Sequence, residues 1–234
     1  MSERTDEVCR LIDELSEEEK RVVLNYLRER VPRHPLEQEW GTTAEAILTA
    51  IARSADITLR GIRGILAEAT FEQYFIPKLQ ADGWASKTNL GEQAYDFLIE
   101  KDAAKVTIQV KLQRKENGDP KEYAARSLKA LNCQYERLYV VEVQKTRSGK
   151  KGGKATRPYH FGDFDILAVN LHTAAGEWKR FMFTLGSWLL PRKSDPELIE
   201  IFQPVSIVPD EYWTNDLNQC IEWFLAGIAK RLYS

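Results

Sequence analysis

A carboxylate followed, on the next strand-like segment, by an amide and an amine two residues apart can build a cation site that faces a phosphate. Asp96 lies in YDFLIE (95–100), and Gln109 and Lys111 lie in KVTIQVKLQ (105–113). Side chains alternate along a strand, so Gln109 and Lys111 share one face. If the two segments pair, Asp96 meets them at one end of a hairpin. The Asp96 carboxylate, the Gln109 amide oxygen and the backbone carbonyl of Val110 are hard oxygen donors suited to a divalent cation. Lys111 brings a positive charge to a phosphate or an attacking water. Upstream, Glu68 and Glu72 are four residues apart and share one helical face, so either can add a carboxylate.

A second chemical feature is charge patterning. The segment KTRSGKKGGKATR, from Lys145 to Arg157, carries six positive charges and no acid: Lys145, Arg147, Lys150, Lys151, Lys154 and Arg157. With its interleaved glycines it is suited to tracking phosphates. Tyr159 and His160 follow and are candidates to reach bases, and Gln113 and Arg114 are candidates for backbone contact just beyond Lys111. The whole chain is nearly neutral, at a formal net charge of −2, so any nucleic-acid contact is local. Cys9, Cys133 and Cys220 have no zinc spacing and no disulfide framework, and His34, His160 and His172 are scattered. Asp163 and Asp165 are candidate metal ligands, set against the reading in which one begins a strand and the other packs at the sheet end. The stretch from Gly149 to Lys154 is too short for a phosphate-binding loop of the nucleotide-hydrolase kind.

The elements that must position these residues form an α/β pattern. Residues 1–55 read as an N-terminal helical region, with Thr5 as a cap, Ser16 with Glu19 as a capping box, Pro32 and Pro35 as terminators, and Thr42 with Glu45 as a second capping box. A long helix is predicted over 58–80, with Ile62, Ile65, Ala69, Ile76 and Leu79 on one stripe and Pro77 inside it. Strands follow at 95–100 and 105–113, then a loop at KENGDP, a helix around 121–131, a strand in RLYVVEVQ, and further strands in FDILAVNLH and KRFMFTLG. Thr214 opens a last helix. The order predicts a mixed central β-sheet flanked by helices. No apolar run approaches the roughly 18 residues of a membrane span, so no membrane partner is expected. The charged start MSERTDEVCR is unlike a secretory signal, which makes the cytoplasm the expected location.

The segment from Gly61 to Arg114, under a quarter of the chain, resembles the core of the PD-(D/E)XK nucleases. It reads GILAEATFEQYFIPKLQADGW, YDFLIE and TIQVKLQR: a glutamate-bearing helix, a hairpin bearing Asp, and a strand bearing a variant of (D/E)xK. The QxK form is similar to the Mrr-like branch of that superfamily. Tyr95 stands where the pattern has proline, and Gln109 stands where it has an acid, which removes a negative charge from the cation site. The resemblance implies a restriction-endonuclease-like fold over 56–234 and a metal-dependent endonuclease that hydrolyses DNA phosphodiester bonds. It implies a catalytic set of Asp96, Gln109, Lys111 and Glu68, preferred over Glu72 because it follows Gly64 by four. The implied ligands of Mg2+, or of Mn2+ in its place, are Asp96, Gln109, Val110 and Glu68. The expected partner is double-stranded DNA, and the expected enzyme a type II restriction endonuclease working as a homodimer. A structure-specific repair or junction nuclease, a DNA-binding module without catalysis and a protein-interaction domain are the competing readings.

Overall fold

The computed structural model describes residues 2–31, 34–88, 93–124, 137–145, 150–151, 154–155 and 157–233, with the side chains of 150–151 and 154–155 excepted. The chain divides into two compact units, Met1–Leu59 and Arg60–Ser234.

The first unit is helical: α1 (Glu3–Asp13), α2 (Glu17–Arg28), α3 (Pro35–Trp40) and α4 (Ala44–Ala52). Ser16 and Glu19 form the reciprocal capping box that the sequence predicts at the start of α2. Two other caps are shifted. Ser2, not Thr5, caps α1, and Thr43, not Thr42, caps α4 by accepting from the Ala46 amide. Each neighbour offers the same hydroxyl, so composition alone does not separate them. Helix α2 ends at Arg28, and Pro35 begins α3, where its fixed φ and missing N–H suit a first turn. Pro32 lies outside the described residues.

Helix α5 (Asp56–Tyr74) starts at the edge of the first unit and enters the second, and α6 (Ile76–Ala81) follows. The single long helix predicted over 58–80 is therefore two. The break is at Phe75, because Pro77 supplies no amide hydrogen and sits in the first turn of α6. The predicted apolar stripe also shifts. Ile65 is exposed, and the buried positions of α5 are Ala67, Thr70 and Phe71.

The second unit is built on a five-stranded mixed sheet flanked by helices. Its strands in chain order are β1 (Ala85–Thr88), β2 (Phe97–Lys101), β3 (Ala104–Leu112), β4 (Lys115–Glu116), β5 (Asp119–Pro120), β6 (Tyr139–Glu142), β7 (Lys150–Lys151), β8 (Lys154–Ala155), β9 (Ile166–Asn170), β10 (Phe181–Leu185), β11 (Pro191–Arg192), β12 (Asp195–Ile199) and β13 (Phe202–Val205). A short helix α7 (His172–Ala175) follows β9, and α8 (Leu217–Leu225) lies near the end of the chain. The main sheet runs β1-β2-β3-β9-β10. Strand β3 pairs antiparallel with β2 and parallel with β9. All five residues of β9 are buried, as the apolar run ILAV requires of a strand covered on both faces, and the buried Asn170 that ends it donates to the Trp178 carbonyl.

Strand β6, predicted from RLYVVEVQ, lies outside the main sheet and pairs antiparallel with β13. The loop predicted at KENGDP is a tight hairpin, β4 to β5, turned by Asn117 (φ 51°) and Gly118 (φ 98°), the positive-φ pair that such turns need. Residues 121–124 of the predicted helix at 121–131 are extended and bridge to β6; the remainder falls outside the described residues. Helix α8 is capped by Asp216 rather than opened by Thr214, whose backbone instead pairs with Phe183 at the sheet edge.

Aromatic packing holds α5 on the sheet. Phe71 lies 5.0 Å, centroid to centroid, from Phe97 on β2 and 5.9 Å from Phe181 on β10. Phe75 lies 5.2 Å from Phe181 and 5.3 Å from Phe183. Glu68 is one turn before Phe71 on the same helix face, so this cluster sets where its carboxylate stands.

Candidate active site

The β2–β3 ladder begins at the pair Phe97–Ile108, and what lies just beyond it builds the site. Asp96 donates its backbone N–H to the Ile108 carbonyl at 2.9 Å. The next β3 amide facing that side, Val110, has no strand opposite. The Asp96 side chain supplies the missing acceptor: Oδ2 accepts from the Val110 N–H at 2.8 Å and from Gln109 Nε2 at 2.5 Å. Nε2 also donates to the Val110 carbonyl at 3.1 Å. At the other end of the amide, Gln109 Oε1 accepts from the Tyr159 hydroxyl at 3.1 Å. Gln109 is 2% exposed, so every polar atom it carries needs such a partner.

Glu68 and Lys111 complete the cluster through electrostatics. Burial, and then the Asp96 carboxylate, push Glu68 up to about 7 against the opposing pull of Lys111. Burial raises Asp96 above its ordinary value, while Lys111 and the Val110 N–H pull it back. Burial holds Lys111 below the usual lysine range, with Asp96 and then Glu68 opposing. Three ionisable groups with opposed shifts at the end of one hairpin form the pattern that acid–base and metal chemistry uses. Glu72 stands elsewhere: it is exposed and accepts from the Thr88 hydroxyl at 2.6 Å. Of the two glutamates, then, Glu68 is the one the fold brings to Asp96 and Lys111.

Can these groups hold a divalent cation? Among the described residues no three His, Cys, Asp or Glu side chains stand close enough together to do so. A cation here would have to draw on two carboxylates, Asp96 and Glu68, and on the neutral oxygens of Gln109 and Val110. Asp96 Oδ2 and the Val110 carbonyl already converge on one positively polarised group, Gln109 Nε2. That convergence fits a hard, oxygen-seeking cation.

The residues predicted to meet DNA fall into three groups. Tyr159 and Gln113 are 3% and 1% exposed, which removes both from any surface a duplex could touch. Tyr159 bonds to Gln109, and Gln113 Oε1 accepts from the Ala174 amide at 3.0 Å, so both act inside the fold. Arg114 is ion-paired with Glu142 and sits 5.3 Å over the Phe202 ring. His160 remains exposed, its backbone N–H held by Asp163 at 3.1 Å.

The basic segment is bounded by Lys145 and Arg157, and the Lys145 N–H donates to the Arg157 carbonyl at 2.8 Å. Lys145 Nζ pairs with Asp163 at 3.2 Å and lies 5.2 Å from the centre of the Tyr159 ring. Lys111 Nζ lies 5.5 Å from the same ring centre. Lys150, Lys151 and Lys154 fall on the β7–β8 ladder, of which the backbone alone is described, and Arg147 lies outside the described residues. Asp165 is structural: its Oδ2 accepts from the Thr107 N–H and hydroxyl, each at 2.8 Å.

Sequence reasoning placed Tyr159 and Gln113 at the DNA surface, and the structure buries both; of the two, Tyr159 belongs to the site, through its bond to Gln109. The signal that could have found its role is the burial implied by YHFGDF, an aromatic run leading directly into a strand.

No protein-family model matches this chain, and no curated protein matches it. Among solved structures it is similar to a bacterial homing endonuclease, with 19% identity and a TM-score of 0.30 over 53% of this chain and 66% of that one. A likeness at that level carries no argument about function. No described helix is long and apolar enough to cross a membrane.

Proposed function

We propose that this chain is a divalent-cation-dependent DNA endonuclease of the PD-(D/E)XK kind, and specifically a type II restriction endonuclease that cuts a defined duplex sequence as a homodimer. The observation that carries the reading is the meeting of Glu68, Asp96, Gln109 and Lys111 at one end of the β2–β3 hairpin, with opposed shifts on the three ionisable groups. Asp96, Glu68, the Gln109 amide oxygen and the Val110 carbonyl would hold Mg2+, or Mn2+ in its place. Such a cation supplies an acidified water and neutralises charge on the phosphate.

The chain's own residues do the rest. Lys111, held below the ordinary lysine range, sits where it can orient the attacking water or hold a nonbridging phosphate oxygen. Glu68, poised near neutrality, can exchange a proton with that water. Lys145, on the Tyr159 ring that Lys111 also borders, extends positive charge outward from the site toward the basic arm, where a phosphate backbone would run. Cutting both strands of a palindrome calls for two such sites related by a twofold axis, hence the homodimer.

The test is incubation of the purified protein with phage and plasmid DNA, in magnesium and in EDTA, beside a Lys111→Ala control. Discrete fragments that need magnesium and disappear in the control are expected. Intact DNA throughout overturns the reading. In that case, cleavage of branched substrates would identify a structure-specific nuclease, and salt-sensitive binding without cleavage a DNA-binding module.

A further inference from the structure

Past the end of β9 the chain is tied to the end of β3, two residues beyond Lys111. Gln113 Oε1 accepts from the Ala174 amide at 3.0 Å, and the Thr173 hydroxyl donates to the Gln113 carbonyl at 3.2 Å. Asn170, wholly buried, fixes the same stretch at both ends: its Oδ1 accepts from the His172 N–H at 2.9 Å and its Nδ2 donates to the Trp178 carbonyl at 2.7 Å. So held, the His172 ring lies stacked on Trp178, 4.0 Å between centroids and 10° between planes. His172 Nδ1 is shut off from solvent with no hydrogen-bond partner among the described residues, which leaves Nε2 as the ring nitrogen turned outward. A buried nitrogen without a partner is better tolerated bare than carrying a hydrogen, so Nε2 is the donor.

Two cations accompany this ring. Lys115, two residues beyond Gln113 on β4, is exposed, and among the described residues no acid pairs with it. Its basic neighbours differ: Arg114 is paired with Glu142, Lys121 with Glu116 and Lys145 with Asp163. Arg63 lies four residues before the buried Ala67, so it continues the sheet-facing stripe of α5. Behind burial, the charges of Arg63 and then Lys115 hold His172 below the usual histidine range, which keeps the ring neutral near pH 7. One outward N–H donor and two positive charges therefore gather at the end of β3.

We propose that Arg63, Lys115 and His172 form a binding site for a DNA phosphate close to the one being cut, on the side of Lys111 away from Asp96. This rests on the reading of the hairpin end as a nuclease centre. The spacing suits it. A strand advances about 3.4 Å per residue, and each DNA strand carries one phosphate per about 3.4 Å of its axis, so Gln113, about 7 Å past Lys111, falls level with a phosphate one or two steps from the scissile one. Point charges and a single N–H engage phosphate oxygens without reading a base, so the site sets position and not sequence. The Asn170 clamp and the Trp178 stack hold the imidazole in place, so little ordering is left for DNA to impose.

The test uses the full chain and a short fluorescein-labelled duplex, with calcium in place of magnesium so that binding is read apart from cutting. Anisotropy titrations over a range of salt give the slope of log affinity against log salt. Lys115→Ala is expected to reduce the magnitude of that slope by about one, and Lys115→Arg to keep it. The same change at Lys101, whose ammonium donates to the Asp82 carbonyl at the far end of the hairpin, is expected to leave the slope alone. His172→Phe keeps a ring on Trp178 and removes the donor, and is expected to weaken binding about tenfold at an unchanged slope. Binding that persists with its slope unmoved by Lys115→Ala would overturn the phosphate site and leave the nuclease reading intact. An unaltered chain that shows no salt-sensitive binding to the duplex would overturn both.

Discussion

Among single residues Glu68 carries the sharpest consequence. Its ordinary value is 4.5 and the fold pushes it to about 7, so the folded chain binds a proton there that the unfolded chain has already released. The sign follows from linkage: the stability contribution is present in full below pH 4.5, falls as pH rises toward 7, and is absent above it. Asp96 is shifted in the same direction. Denaturant unfolding in EDTA is expected to show stability falling across this window, and Glu68→Gln is expected to flatten the fall. An unchanged slope would show that Glu68 does not titrate in the window. Cation binding has the opposite trend, because carboxylates bind best ionised, so magnesium affinity is expected to climb over the same range. On the proposed nuclease reading, Asp96→Ala and Lys111→Ala are each expected to slow DNA cleavage on the order of a hundredfold or more, about 2.7 kcal/mol of barrier.

The secondary elements explain why the site was legible and much of its support was not. Strand β3 announces itself by alternation, with Val106, Ile108 and Val110 buried on one side and Gln109 and Lys111 on the other. A hairpin follows from two such strands joined by a short turn, and the hairpin alone brings Asp96 to Gln109. The partner on the far side of β3 is different. Its register, Ile108 against Ile166, joins residues far apart in sequence, and local patterning carries no such information. Tyr159 comes with that distant strand, so the run YHFGDF could hint at its burial but not at its bond to Gln109. The split of α5 from α6 was blurred because Pro77 can either kink a helix or begin one. The caps at Ser2, Thr43 and Asp216 each had an equally able neighbour.

A close approach at the end of β10 can be tested at this level too. A methyl group on Gly186 would lie 2.5 Å from the Phe164 carbonyl and 3.1 Å from its ring, backbone and buried aromatic alike unable to yield. Gly186→Ala is expected to lower stability by about 1–3 kcal/mol, measured as a drop in Tm. A neutral result would mean that the Phe164–Asp165 segment is free to shift, and with it the Asp165 tie to Thr107 on β3.

For the molecule as a whole, the two units differ in how they are built. The second holds every buried side chain described, from Ala67 onward, and every residue of the candidate site. In the first, no described side chain is buried, and Val8, Leu11, Val22, Leu24, Tyr26, Leu27 and Trp40 are exposed. Local stability tracks buried apolar contact, so the first unit sits at the low end of the range. Brief trypsin digestion followed by mass spectrometry is expected to find the earliest cuts within residues 2–59. First cuts in β3 or β9 would contradict this.

The contact between Lys145 and Arg157 bears on what the segment between them could become. The backbones of Lys145 and Arg157 meet through the Lys145 N–H and the Arg157 carbonyl, and Lys145 is in turn held by Asp163. Closing a loop on fixed ends costs only slightly more as the loop lengthens, about 0.6 kcal/mol per doubling. On the proposed reading, the residues between these two anchors can therefore change in number and charge at little cost to the β2–β3 hairpin, altering what the chain could meet along a duplex.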